Sequence, residues 1–159
     1  MWMPSMRNLL YRVLHFLHFK NGQGSWRLAR VEIQLVQALL AELPGEVGNM
    51  LRRQIEQSFF VERMTGGRIN VLRYYGSIDS HRISDPAYLD KLFRVRIAVD
   101  GRQENAHITF YGGILFSIEF KKSRRFYKDK TIDVLSISTG SPDDSYTHFI
   151  DREEHGPDV

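Results

Sequence analysis

The segment LFRVRIAV (92–99), DGRQEN (100–105), AHITFY (106–111), GG (112–113) and ILFSIEFK (114–121) reads as three consecutive antiparallel strands. Phe93, Val95, Ile97 and Val99 alternate with Arg94, Arg96 and Ala98, the period-2 pattern of a strand with one face on a core and the other in water. Ile108 and Phe110 continue the pattern. Ile114, Phe116, Ile118 and Phe120 then repeat it against Leu115, Ser117, Glu119 and Lys121. Asp100-Gly101 and Gly112-Gly113 supply the positive-φ residues that tight hairpins need. A meander that is apolar on one side and charged on the other must bury its apolar side, and the rest of the chain has to provide the cover.

Cover is available upstream. Ser5 is a fitting N-cap for a helix to Phe19, with Leu9, Leu10, Val13, Leu14, Phe16 and Leu17 at helical spacing. The loop-like run Asn21-Gly22-Gln23-Gly24-Ser25 ends it. A second helix is predicted from Leu28 or Ala29 to Leu43, with Val31, Leu35, Val36, Leu39, Leu40 and Leu43 on one stripe. After Pro44-Gly45 the helical period resumes from Glu46 to Gln57, through Val47, Met50, Leu51 and Ile55. A helix pair and a single kinked element both fit. Phe59–Met64 and Ile69–Tyr75 flank the turn Thr65-Gly66-Gly67-Arg68 as a hairpin. Gly76 to Asp90 is a long polar connection, and Thr131 to Ser138 returns to strand character. The expected fold is α+β, with N-terminal helices on one face of an antiparallel meander sheet of about six strands. Residues 1–140 form the expected single domain, and 141–159 an acidic, fraying tail.

Composition sets limits on function. The chain has 159 residues, 42% hydrophobic and 26% charged, as a globular domain requires. A net charge of +3 is too small to imply a nucleic-acid partner by itself. With no cysteine there is no disulfide and no thiolate metal site. No apolar run approaches the length of a membrane span. Arg12, His15 and His18 interrupt the N-terminal apolar stretch in a way a signal peptide does not, so a cytoplasmic protein without a membrane partner is expected. The N-terminal helix is then buried or faces a partner.

Candidate chemistry is sparse. No P-loop, dinucleotide fingerprint or zincin helix is present, and neither catalytic residues, a metal nor a cofactor is expected. His15 and His18 share a helix face, and His148, Asp151 and His155 share the tail, but neither set completes a metal site. Ser77, Asp79, Ser80 and His81 crowd the long connection, and His107 and Glu119 project from the charged sheet face; these are the residues an enzyme would use. The basic run Lys121-Lys122-Ser123-Arg124-Arg125-Phe126-Tyr127-Lys128-Asp129-Lys130 combines phosphate-binding charge with rings that stack on bases, the alternative of a nucleic-acid binder. Tyrosine and arginine are what interfaces favour, and Arg73, Tyr75, Arg94, Arg96, Tyr111, Glu119, Lys121, Arg124, Arg125 and Tyr127 are the candidate partner-binding residues.

The helix-pair-then-meander layout, with the sheet phrases GGRINVLRYY (66–75) and GGILFSIEF (112–120), resembles small bacterial immunity proteins of contact-dependent and other polymorphic toxin systems. The resemblance covers roughly residues 29–138. It implies a non-enzymatic, cytoplasmic protein that binds a toxin domain and blocks it sterically. Many such proteins are acidic, whereas this chain is net positive, so its partner surface would be neutral or acidic, or would meet the acidic tail.

Overall fold

A computed structural model describes residues 13–17, 19–57, 59–73 and 78–140. In chain order the elements are β1 (Gly24–Ser25), α1 (Arg30–Glu42), α2 (Gly45–Glu56), β2 (Phe60–Arg63), β3 (Arg68–Leu72), β4 (Leu92–Val99), β5 (Arg102–Tyr111), β6 (Ile114–Phe120), the short α3 (Arg124–Tyr127) and β7 (Asp133–Thr139). Two 3-10 turns, Ile78–His81 and Pro86–Tyr88, punctuate the long connection before β4. Residues 13–17 and 19–20 are also helical. The fold is α+β.

The strands form one antiparallel sheet of seven in the order β1-β2-β3-β6-β5-β4-β7. This corrects the expected count of six. The added strand is β1, within the glycine-rich loop, where Gly24 and Ser25 pair with Glu62 and Val61. The sheet is also not a simple meander: β3 lies beside β6, and β7 crosses back to the far side of β4. The hairpins form where expected, with positive φ at Asp100, Gly101, Gly112 and Gly113.

Alternation holds along β4, where Phe93, Val95, Ile97 and Val99 are all buried. In β6 it breaks. Thr109 pairs with Ser117 but Phe110 pairs with Leu115, so Phe116 is an extra residue. A bulge of this kind reverses the side-chain phase beyond it. Leu115 therefore joins the core, while Ile114 and Phe116 lie half-buried toward the other face, the reverse of the sequence expectation. A second bulge, in β7, leaves Leu135 unmatched, because Arg96 pairs with Ser136 and Ile97 with Val134.

Helices α1 and α2 cover one face of the sheet, while the helical residues 13–17 meet the other face at Phe60. Val31, Leu35, Val36 and Leu39 of α1 and Val47 and Leu51 of α2 pack with Val61, Ile69, Val71, Val95, Ile97, Ile108 and Ile118 in one core. Pro44, lacking an N–H, separates two helices rather than kinking one. Two buried polar clips fix this layer. Glu32 accepts the Ala29 N–H at 2.6 Å, holding the start of α1. The same carboxylate receives Arg63 Nε and Nη2 at 2.8 Å each, tying α1 to β2. On α2, Gln54 Nε2 donates to the carbonyls of His81 and Gly113 at 2.8 and 2.9 Å, and its Oε1 accepts the Leu115 N–H at 2.9 Å. Gly113 has φ 74°, and a Cβ there would meet the Ile83 carbonyl at 2.1 Å, so the long connection lies directly against this turn.

Gln54→Ala should therefore remove three hydrogen bonds, leaving the Gly113 carbonyl only the Ile83 N–H, and destabilise the fold by about 3 kcal/mol. Urea unfolding measures this as a lower midpoint with an unchanged slope. Gln54→Glu, which keeps the shape but loses the donated bonds, should not restore stability.

Candidate interaction surface

On the sheet face away from α1 and α2, cross-strand register aligns charged side chains in rows. Arg68 of β3 stands opposite Glu119 of β6, Glu119 opposite His107 of β5, His107 opposite Arg94 of β4, and Arg94 opposite Ser138 of β7. At about 4.8 Å per strand, this row crosses roughly 19 Å of sheet. Arg68 Nη1 donates to Glu119 Oε1 at 2.8 Å, and Arg68 Nε to Asn70 Oδ1 at 2.8 Å. The chain of contacts continues from Asn70 Nδ2 to Glu62 Oε2 at 3.1 Å. Arg68, His107 and Glu119 are buried, although alternation alone assigned this face to water. They lie on central strands, and the Arg68 guanidinium sits 5.6 Å from the centroid of the bulged Phe116 ring. Burial lowers the Arg68 pKa, and the Glu119 carboxylate opposes that shift.

This row is flanked by exposed groups. Arg96, opposite Asn105 on one side and Ser136 on the other, is exposed, as is Lys121 just past the end of β6. Toward the other end of β5, Tyr111 is 69% exposed, and its ring lies 5.7 Å from that of Phe116. Six residues of β5 separate the Asn105 and Tyr111 rows, or about 20 Å. Of the residues singled out from sequence, Arg94, Arg96, Tyr111 and Lys121 thus share one face. Arg94 is half-buried there.

The other candidates do not join them as exposed groups. Glu119 is buried in the ionic row. Tyr127 is also buried, packed 4.7 Å from Phe120, with its hydroxyl donating to Glu104 Oε1 at 2.7 Å. Arg73 turns inward, donating to the Leu115 and Gln54 carbonyls at 3.1 and 3.0 Å. Burial alone pushes its pKa down to about 10. Arg124 and Arg125 are exposed on α3, and Arg124 reaches the Gly22 carbonyl at 3.4 Å. Tyr75, Ser77, His18 and the acidic tail lie outside the described residues.

The basic run is partly neutralised within the fold. The Lys122 and Lys130 ammonium groups each lie 3.7 Å from the Phe126 ring centroid. Lys122 also pairs with Glu104 at 3.7 Å, and Lys130 pairs with Asp100. Phe126 is thus engaged by cations of its own chain and Tyr127 by the core. Of the enzyme candidates, His107 and Glu119 are engaged as well. They do face each other, but in the buried row with the carboxylate held by Arg68. His81 is half-buried, and its carbonyl accepts from Gln54.

Sequence reasoning left one feature undecided. Val13, Leu14, Phe16, Leu17 and Phe19 are between 43% and 57% exposed, and Trp26 is 56% exposed, while His15 is buried with its ring stacked 4.3 Å from that of Phe60. The signal in the sequence was an apolar stretch too broad for one helix stripe.

No family model matches the chain, and no curated protein or solved structure shows significant similarity to it. The class is therefore defined by the fold: an α+β protein whose antiparallel sheet is layered with helices on one face and carries a buried ionic row on the other.

Removing either partner of the buried pair should be costly. Glu119→Ala or Arg68→Ala should each destabilise by about 3 kcal/mol, because a desolvated charge loses its counter-charge. The double variant Arg68→Met/Glu119→Leu should lose less than the sum of the two single losses, read from urea midpoints.

Proposed function

We propose that this is a non-enzymatic protein-binding module that engages its partner through the Tyr111–Arg96–Lys121 face. The observation that carries the reading is Tyr111, 69% exposed at the end of β5 and beside Phe116, with Arg96 exposed on the adjacent β4 and Lys121 just past β6. Tyr and Arg dominate interface hot spots, since each offers large contact area together with directed hydrogen bonds. The supporting groups are already ordered: Phe116 rests near Arg68, and Arg68 is bonded to Glu119 and Asn70. A rigid platform of this kind loses little entropy on binding. The exposed groups of this face stand about 20 Å apart, on either side of the buried row. Its exposed cations call for a partner with a neutral or acidic surface.

In its most concrete form the partner is a bacterial toxin domain, blocked sterically when this face covers its active site. Co-expression with toxin domains encoded beside the gene, followed by co-purification and calorimetry, tests both levels. A stoichiometric complex that silences the toxin is the expected result. Tyr111→Ala and Arg96→Glu should each weaken it by about 30-fold, the hot-spot range. A complex indifferent to both substitutions would place the contact elsewhere. Inhibition without a complex would sink the steric mechanism.

A further inference from the structure

We propose that helical residues 13–17 and 19–20, together with Trp26, form a docking patch for an anionic lipid surface, at the β1–β2 end of the sheet and away from Tyr111 and Arg96. In a core helix the apolar side chains turn inward. Here the segment buries His15 against Phe60 and presents Val13, Leu14, Phe16, Leu17 and Phe19 to solvent. Trp26 packs edge-on against the same Phe60 ring, 5.0 Å away. Both parts of the patch are therefore anchored to one ring and lie side by side. Six large apolar groups this exposed within a short stretch mark an interaction site.

The charge around the patch selects the occupant. Lys20 lies with its ammonium 5.1 Å from the Phe16 ring, Arg27 follows Trp26, and Arg124 reaches the neighbouring Gly22 carbonyl. Lys20, Arg27 and Arg124 are all exposed, as is Arg30 at the start of α1. Among the described residues, Glu32 is engaged by Arg63 and Glu62, opposite Gly24, by Asn70. A second copy would bring the same cationic rim against this one, so self-association is opposed electrostatically. An anionic bilayer accepts both features. Leucine and phenylalanine enter the acyl boundary, tryptophan sits at headgroup level, and lysine and arginine reach the phosphates. Among the described residues no helix is long and apolar enough to cross a membrane. The geometry is that of a segment lying in the interface plane.

The test is flotation of the full-length protein with vesicles of phosphatidylcholine, alone or with about 30% phosphatidylglycerol, at about 0.15 M salt. Binding to the anionic vesicles and not to the neutral ones is expected. Phe16→Ser/Leu17→Ser, both at exposed positions, should leave the melting temperature unchanged and reduce the bound fraction at least tenfold. Lys20→Glu and Arg124→Glu should each weaken binding by about fivefold or more. In a Trp2→Phe background, Trp26 is the sole tryptophan and its emission should shift to the blue on binding. The proposal is overturned by failure to float with anionic vesicles, by flotation unaffected by Phe16→Ser/Leu17→Ser, or by a dimer in solution that this variant dissolves. Partner binding through Tyr111 would survive all three results, which separates the two readings.

Discussion

Arg63 and Glu32 hold the architecture at the point where its layers meet. The two side chains are buried and share two hydrogen bonds of 2.8 Å, and Arg63 also donates to Ser25 Oγ at 2.7 Å and to the Arg27 carbonyl at 3.2 Å. Transferring two ions out of water costs several kcal/mol each, so the pair is tolerated because nearly every polar atom in it is satisfied. What it supplies is position. With Glu32 also holding the Ala29 N–H, one arginine fixes the start of α1, the strand β2 and the two-residue strand β1 relative to one another. A slip of β2 by one residue would turn Arg63 away from its carboxylate and bring Glu62 inward.

Gln54 performs the corresponding task for α2, but with neutral groups, fastening the helix to the β5–β6 turn and to the connection that precedes β4. The helix layer is thus clipped at both ends. On the opposite face the Arg68–Glu119 pair stiffens the sheet from the other side. Among the described residues, long polar side chains thus help to specify both faces of the seven-stranded sheet.

Much of this was legible in the sequence because it is local. The strict alternation of β4, the stripe of α1 and the Asp100-Gly101 turn each encode their structure within a few residues and appear as read. At Pro44 the sequence left a pair and a kink open, and two helices form. The bulge at Phe116 was not legible, since phenylalanine fits either face and the phase change is set by pairing with β5. Nor were the ionic contacts. Arg63 and Glu32 lie 31 residues apart and Arg68 and Glu119 lie 51 apart, so their meeting depends on strand order. The candidate site was half visible for the same reason. Alternation found Arg94, Arg96, Tyr111 and Lys121 together, but not that Glu119 and Tyr127 were committed to the interior.

The two rims of the sheet bear on how the protein behaves at the high local concentrations of a cell. At one rim β1 is only two residues long and offers little to pair with. At the other, β7 is seven residues long, lacks lysine and proline, and displays Leu135, a composition that invites a neighbouring chain to add a strand. The unmatched Leu135 bends that strand and puts its outward backbone groups out of step with a straight newcomer. Lateral growth into a fibril would have to straighten this kink first, so a single extra residue in β7 acts as a safeguard against amyloid-like stacking of the whole fold.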